Sequence, residues 1–350
     1  MITLKEIAEE CGVSIATVSN ILNGKKKTSE ETKRRVMEVV KRTGYRPNVM
    51  AQGFRRQKSM MVGIIAEDIA QFTSPEIIEG IMKRCEDHGY HTIVRNLRLY
   101  ARWSDTWYEN ESEYHMILDP VLQELETAMV DGIIYIAGHN RIIHCFPDGF
   151  PIPAVMAYGT ASNPAVPSVL IDDEKAAYEI VRYIVSRGHK KIGVIAGRMD
   201  NLHTQARIKG YQRALFEAGL LFDPDSIAIG NWTKEGGYAA AGEIMSKGVT
   251  AVFCLNDQMA GGVYQYLHEK GIRAGGDFSV TGFDNMLPAE YMIPGLTTTA
   301  LPLSEIGDRA AELLIARMTG EDKDSPSEPH RKVLVPCRFV ERGSVAVCAG

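Results

Sequence analysis

Residues 3–24 read TLKEIAEECGVSIATVSNILNG, and two short helices with a tight turn between them can be read from this stretch alone. Leu4, Ile7, Ala8 and Cys11 recur at i, i+3, i+4 and i+7, the stripe of an amphipathic helix. Thr3 and Glu6 have the spacing of a capping box, which marks the helix start. Gly12 stops it. Ser14 is placed to cap a second helix that runs to about Leu22, where Asn23-Gly24 ends it. Val18, Ile21 and Leu22 share one face of that helix, while Ala16 and Asn20 point the other way with Ile15 beside them. A third helix is expected from near Thr28, which is spaced from Glu31 as a second capping box. It carries Val36, Val39 and Val40 inward and ends at Gly44.

Three short helices with a glycine-containing turn between the first two make a helix-turn-helix. In that motif the N-terminal residues of the second helix meet base edges in the major groove. The expected DNA-reading set is therefore Ile15 and Ala16 against thymine methyls and Asn20 against adenine. Ser14 and Thr17 suit phosphate oxygens. Lys25, with Lys26, Lys27, Lys33, Arg34 and Arg35, supplies backbone attraction. The competing reading is a three-helix domain that docks on protein.

Charge supports the first reading once it is split along the chain. The whole carries a formal net charge of −5. Residues 1–58 hold 13 lysines and arginines against 6 acidic residues, a net of +7, and residues 59–350 hold 26 against 38, a net of −12. A basic head on an acidic body implies two partners of different kinds. Length, 350 residues, and 45% hydrophobic content fit two or three ordinary globular domains. No signal peptide and no membrane-spanning run is expected, and the six scattered cysteines read as reduced thiols, so a cytoplasmic location is expected. His139 and His144 read as surface or loop histidines, and no metal is expected.

After residue 59 short apolar runs alternate with helical stretches. Candidate strands are 60–66, 91–96, 131–138, 152–158, 191–197, 250–255 and 278–283. Helical patterns fall at 75–88, 112–129, 173–187, 204–218, 235–247, 258–270 and 303–318. This alternation predicts an α/β body of two doubly wound parallel-sheet lobes behind an all-α head. Ligands of such sheets bind beyond the carboxyl ends of the strands, so a cleft between two lobes is the expected site. No phosphate loop, dinucleotide fingerprint or nucleophile elbow is present, and no cofactor is expected.

TLKEIAEECGVSIATVSNILNG and TSEETKRRVMEVVKRTGYRPN resemble the DNA-binding head of the lactose/galactose-repressor (LacI/GalR) family. VLIDDEKAAYEIVRYIVSRGHKKIGVIAG, AVFCLNDQMAGGV, SVTGFDN and GLTTTALPL resemble that family's effector core. The resemblance implies a helix-turn-helix domain at 1–46, a hinge at 47–58 and a periplasmic-binding-protein-like core at 59–350. Lobe one is expected at about 59–160 and 296–323, and lobe two at about 161–295 and 324–350. Residues 48–56 match a hinge helix that orders when a dimer sits on its operator, with Asn48 and Phe54 as DNA contacts. Phe54 stands where relatives carry a leucine that wedges into the minor groove, and Gln52 where they carry arginine. The alternative for Phe54 is packing against the body or its twin.

The family's effector contacts carry over to Arg207, Trp232, Asn256, Asp257 and Asp284. Asp68, Gln71, Phe72 and Tyr158 are candidates from the other lobe, where EDIAQFTSPE departs from the family pattern. Three other readings stand beside these. Asp257 could instead cap the following helix, Trp232 could be core, and Arg207 could pair with Asp284 in an empty cleft. The aromatic-rich segment 97–114, with Tyr100, Trp103, Trp107 and Tyr108, covers the cleft, forms an interface or is a surface loop. The reading implied is a homodimeric repressor of double-stranded operator DNA, controlled by a small sugar-like or other polar effector. The alternative is a sugar- or nucleoside-processing enzyme using Asp68, Asp257 and Asp284 for acid–base work.

Overall fold

The computed structural model describes residues 2–22, 28–45, 58–104, 111–322 and 329–348, and it divides into two compact units, Met1–Met60 and Met61–Gly350. Lys25, Asn48 and Phe54, the hinge helix, Trp107 and Tyr108 lie outside the described residues.

In the first unit α1 (Leu4–Glu10), α2 (Ile15–Leu22) and α3 (Glu30–Thr43) close over Ile7, Ala8, Cys11, Val18, Ile21, Val36 and Val39. The Thr3–Glu6 box is complete: Thr3 Oγ1 accepts from the Glu6 N–H at 3.3 Å, and Glu6 Oε2 accepts from the Thr3 N–H at 2.7 Å. Ser14 Oγ accepts from the Thr17 N–H at 3.1 Å and starts α2. The third helix corrects the expectation by one residue. Its cap is Ser29, whose Oγ accepts from the Thr32 N–H at 3.3 Å, and not Thr28. Starting there puts Glu30 and Glu31 together in the first turn, where the helix dipole favours both. Gly44, at φ 63°, closes the helix in the left-handed conformation that glycine adopts without strain.

The second unit is built on two larger parallel sheets, with a two-residue parallel pair, Ile142–Ile143 and Thr160–Ala161, beside them. The first is built from β1 (Met61–Ala66), β2 (His91–Asn96), β3 (Gly132–Ile136), β4 (Ala154–Ala157), β5 (Ser168–Ile171) and β11 (Lys332–Val335), in the order β11-β5-β4-β3-β1-β2. The second is β9-β8-β6-β7, from β6 (Ile192–Ala196), β7 (Ile227–Ile229), β8 (Ala251–Cys254) and β9 (Ser279–Thr281). Seven longer helices cover them: α4 (Ser74–Asp87), α5 (Glu111–Thr127), α6 (Asp173–Ser186), α7 (Leu202–Glu217), α8 (Lys234–Ser246), α9 (Asp257–Glu269) and α10 (Leu303–Thr319). Near-continuous burial of β1, β3, β4, β6 and β8 is what helices on both faces demand. An antiparallel pair, β10 (Thr298–Ala300) with β12 (Arg338–Val340), lies where the chain passes between lobes.

The lobe boundaries differ from those expected. Ser168 and Val169 pair with Met156 and Ala157, and Lys332–Val335 pairs with Ser168–Ile171, so both strands belong to the first sheet. The chain therefore crosses after Ile171, returns after Ala300 and crosses again after Val335, some ten residues later than expected at the first and last crossings.

Glycine sets the closest helix contact of lobe one. A Cβ on Gly80 of α4 would lie 2.1 Å from the Ser304 carbonyl oxygen, and one on Gly307 of α10 would lie 2.0 Å from that of Ile77. The two backbones touch there because neither residue has a side chain.

Candidate functional site

The first candidate surface is the outer face of α2. Ser14, Ile15 and Ala16 are exposed and Thr17 and Asn20 half-buried, whereas Val18 and Ile21 are in the core. Ile15 keeps 40% of its surface open on that face. The Ser14 and Thr17 hydroxyls lie 2.9 Å apart and fix the helix start between them. Arg34 and Arg35 are exposed on α3.

The second is a cavity of about 730 Å³ lined by Gln71, Phe72, Tyr100, Gly138, His139 and Tyr158 from lobe one. Lobe two contributes Arg198, Asn201, His203, Arg207, Asn231, Trp232, Thr233, Asn256, Gln258 and Asp284. Most of these residues sit in segments that follow the carboxyl end of a parallel strand. Gln71, Phe72, Tyr158, Arg207, Trp232, Asn256 and Asp284, all expected at an effector site, are brought together here.

Asp68 is not among them. Its Oδ1 accepts from the Ala70 N–H at 3.1 Å and its Oδ2 from the Ala101 N–H at 3.2 Å, so it ties the loop after β1 to the helix Leu99–Trp103. A carboxylate at a strand end serves a turn as readily as a ligand.

Arg207 is the electrostatic centre. Its Nε donates to Asp173 Oδ1 at 2.7 Å, and a terminal nitrogen donates to the Leu255 carbonyl and lies 3.9 Å from Asp284 Oδ1. Its guanidinium stacks 3.7 Å from the Phe283 ring centroid, with Trp232 5.7 Å away. The Arg207–Asp284 pairing expected as an alternative is thus present, but Asp173 is the nearer partner. Burial works to raise the Asp173 pKa; His203 and Arg207 outweigh it and hold the carboxyl below the usual range. At Asp284 burial prevails over Arg207, and its carboxyl lies well above that range.

Trp232 lies flat on lobe-two backbone. A Cβ on Gly197 would fall 1.9 Å from its Cε2, so only glycine admits the indole. Asn231 and Trp232 have φ of 50° and 66°, a left-handed pair that costs about 1–2 kcal/mol per residue. Asn256 holds it: Nδ2 donates to the Trp232 carbonyl at 3.0 Å, while Oδ1 accepts from the Met259 N–H at 2.8 Å and caps α9. Asn256, and not Asp257, is therefore the helix cap. Asp257 instead accepts from Thr298 Oγ1 at 2.6 Å and from the Met286 N–H at 2.7 Å, and burial pushes its carboxyl up to about 7.

The sequence reading missed Asp173, His203, Asn201, Asn231 and Gln258. His139 lies in the loop after β3, as expected, and there it lines the cavity with Nδ1 2.7 Å from the Tyr100 hydroxyl. Burial, then Arg141 and His203, push the His139 pKa well down. Of the aromatic-rich segment, Tyr100 lines the cavity and Trp103 packs against the lobe-one core. Asp68 lies outside the cavity, bound to the Ala70 and Ala101 N–H groups, whereas Asp257 and Asp284 lie close enough for one to raise the pKa of the other. Among the described residues no group of three histidine, cysteine, aspartate or glutamate side chains could hold a metal.

Known proteins share both parts. Residues 3–48 match the family described as bacterial regulatory proteins, lacI family, and residues 181–345 match the periplasmic binding protein-like domain. Catabolite control protein A of Priestia megaterium is 32% identical over 336 residues, covering 94% of this chain and 97% of the relative. The HTH-type transcriptional repressor CytR of Escherichia coli (strain K12) is 33% identical over 345 residues, covering 98% and 96%. The solved lac repressor dimer bound to operator and the anti-inducer ONPF aligns over 99% of each chain with a TM-score of 0.77 at 24% identity, a likeness of fold.

Proposed function

The chain belongs to the lacI family of bacterial regulatory proteins, and from that premise we propose that it is a transcriptional repressor switched by a small polar effector held between its lobes. It reads a pseudo-palindromic operator as a homodimer in the cytoplasm, one head per half-site, and it catalyses no reaction. Ile15, Ala16 and Asn20 meet bases, Ser14, Thr17 and Lys25 meet phosphates, and Asn48 and Phe54 act in the minor groove.

The observation that carries the proposal is the cavity lined from both lobes at the carboxyl ends of the strands, on a chain that begins with a helix-turn-helix. A ligand that touches both lobes favours one arrangement of them over another. That difference, passed to the hinges of the dimer, is the coupling free energy between effector and DNA.

The side chains favour an uncharged ligand. Arg207 is matched by Asp173 and Arg198 by Asp200, while burial draws Asp284 toward its neutral form. Phe72, Tyr158 and Trp232 offer flat faces, and Gln71, Asn231 and Gln258 offer amides, the set that a carbohydrate ring uses.

A thermal-shift screen of the full chain against carbohydrates, nucleobases and amino acids tests the ligand class, because a ligand of the native state raises its apparent stability. Stabilisation by nucleobases alone would reject a carbohydrate effector. Operator binding with and without the stabilising compound then tests control; an unchanged affinity rejects the switch.

A further inference from the structure

His203 is 5% exposed near the start of α7, in lobe two. Its Nδ1 lies 2.7 Å from Asp173 Oδ2, and its Nε2 accepts from the Asn140 backbone N–H at 2.9 Å. A backbone N–H can only donate, so Nε2 must carry the lone pair and the ring proton belongs on Nδ1, aimed at Asp173. Asn140 follows β3 in lobe one, and the Thr160 hydroxyl donates to its side-chain oxygen at 2.9 Å. A hydrogen bond therefore crosses the cleft, and behind it stands the Asp173–Arg207 pair. Tyr158 of lobe one covers the ring at 5.1 Å between centroids.

We propose that His203 is a proton-sensitive latch between the lobes, joining the Arg207 cluster to lobe one while its ring is neutral and releasing it when a solvent proton adds to Nε2. The added proton sets one N–H against another, so the interlobe bond is lost and a repulsive contact replaces it. The charged and titratable groups around the ring come from both lobes. Asp173 faces Nδ1 and is shared with Arg207, and Tyr158 lies over the ring. His139, Arg198 and Asp284 line the same cavity, and Arg141 and Asp200 lie near His139. The latch itself stands on these contacts; its effect on effector binding rests on the cleft reading above.

Nuclear magnetic resonance of the full chain, labelled with 15N in asparagine and histidine, tests it from about pH 8 to about pH 5. At the alkaline end His203 should show a protonated Nδ1 and a bare Nε2. On acidification the Nε2 signal and the Asn140 amide proton should shift together. Amide exchange at Asn140, corrected for intrinsic chemistry, should rise roughly tenfold, the loss of one hydrogen bond. In His203→Gln the pH dependence of Asn140 should vanish. A ring that stays neutral throughout, an Asn140 amide that ignores the ring's titration, or the same profile in His203→Gln overturns the latch. Because no effector is needed, a latch that titrates as expected in a protein that no carbohydrate stabilises would remove the carbohydrate reading and leave the latch standing.

Discussion

At the scale of single residues, Trp232 depends on two neighbours that need not touch a ligand. Gly197→Ala drives a methyl into the indole, and we expect about 1–3 kcal/mol of destabilisation in urea unfolding with loss of ligand-induced stabilisation. Asp173 does the same service for Arg207. Asp173→Asn leaves a buried guanidinium short of its partner, and unfolding free energy should fall by about 3–5 kcal/mol near neutral pH. The sign of its pH dependence is fixed by the lowered folded pKa of Asp173. Its stabilisation is present above the unfolded carboxyl value and lost as pH falls through the folded one, so wild type and variant should converge in acid. Trp232, Asn256 and Asp284, just beyond strand ends, and Arg207, on α7, could be expected at the cavity because they lie in blocks that resemble the family. Asp173 and His203 could not. Their contact joins residues 30 apart in sequence, and nothing in either segment announces the other.

At the scale of elements, helices were readable to within a residue or two where period and cap agree, and the misjudged features are short. Two adjacent hydroxyl residues, Thr28 and Ser29, both offer a cap, and the choice falls to which start suits Glu30 and Glu31. Ser29→Ala should destabilise α3 by about 1 kcal/mol, seen as faster amide exchange across Glu30–Lys33, while Thr28→Ala should have little effect. The strands Ser168–Ile171 and Lys332–Val335 were not expected, and the lobe boundaries moved with them. Gly307→Ala tests the contact between α4 and α10. A Cβ 2.0 Å from a carbonyl oxygen cannot be relieved by a side-chain rotation, so the helices must separate, and the cost should reach the upper part of the range of about 1–3 kcal/mol for overpacked cores.

At the scale of the whole molecule, the charge division at residue 58 lies close to the division into compact units at Met60. The logarithm of operator affinity should fall linearly with that of salt concentration. Arg34→Gln should reduce the slope by about 0.9, the change for one lost phosphate contact. Neutralising acidic residues in 59–350 should raise nonspecific DNA affinity more than operator affinity, and equal gains would reject a role for the acidic body in selectivity. The path of the chain has a consequence for its synthesis. Lobe one begins at Met61, yet its sheet is completed by β11, Lys332–Val335, an edge strand made after every strand of lobe two's sheet. Domains generally fold in the order they emerge. The helix-turn-helix head, whole by Gly44, therefore leaves the ribosome well before the sheet of lobe one can close. A chain cut short before residue 332 keeps that head and lacks the strand that finishes the first sheet.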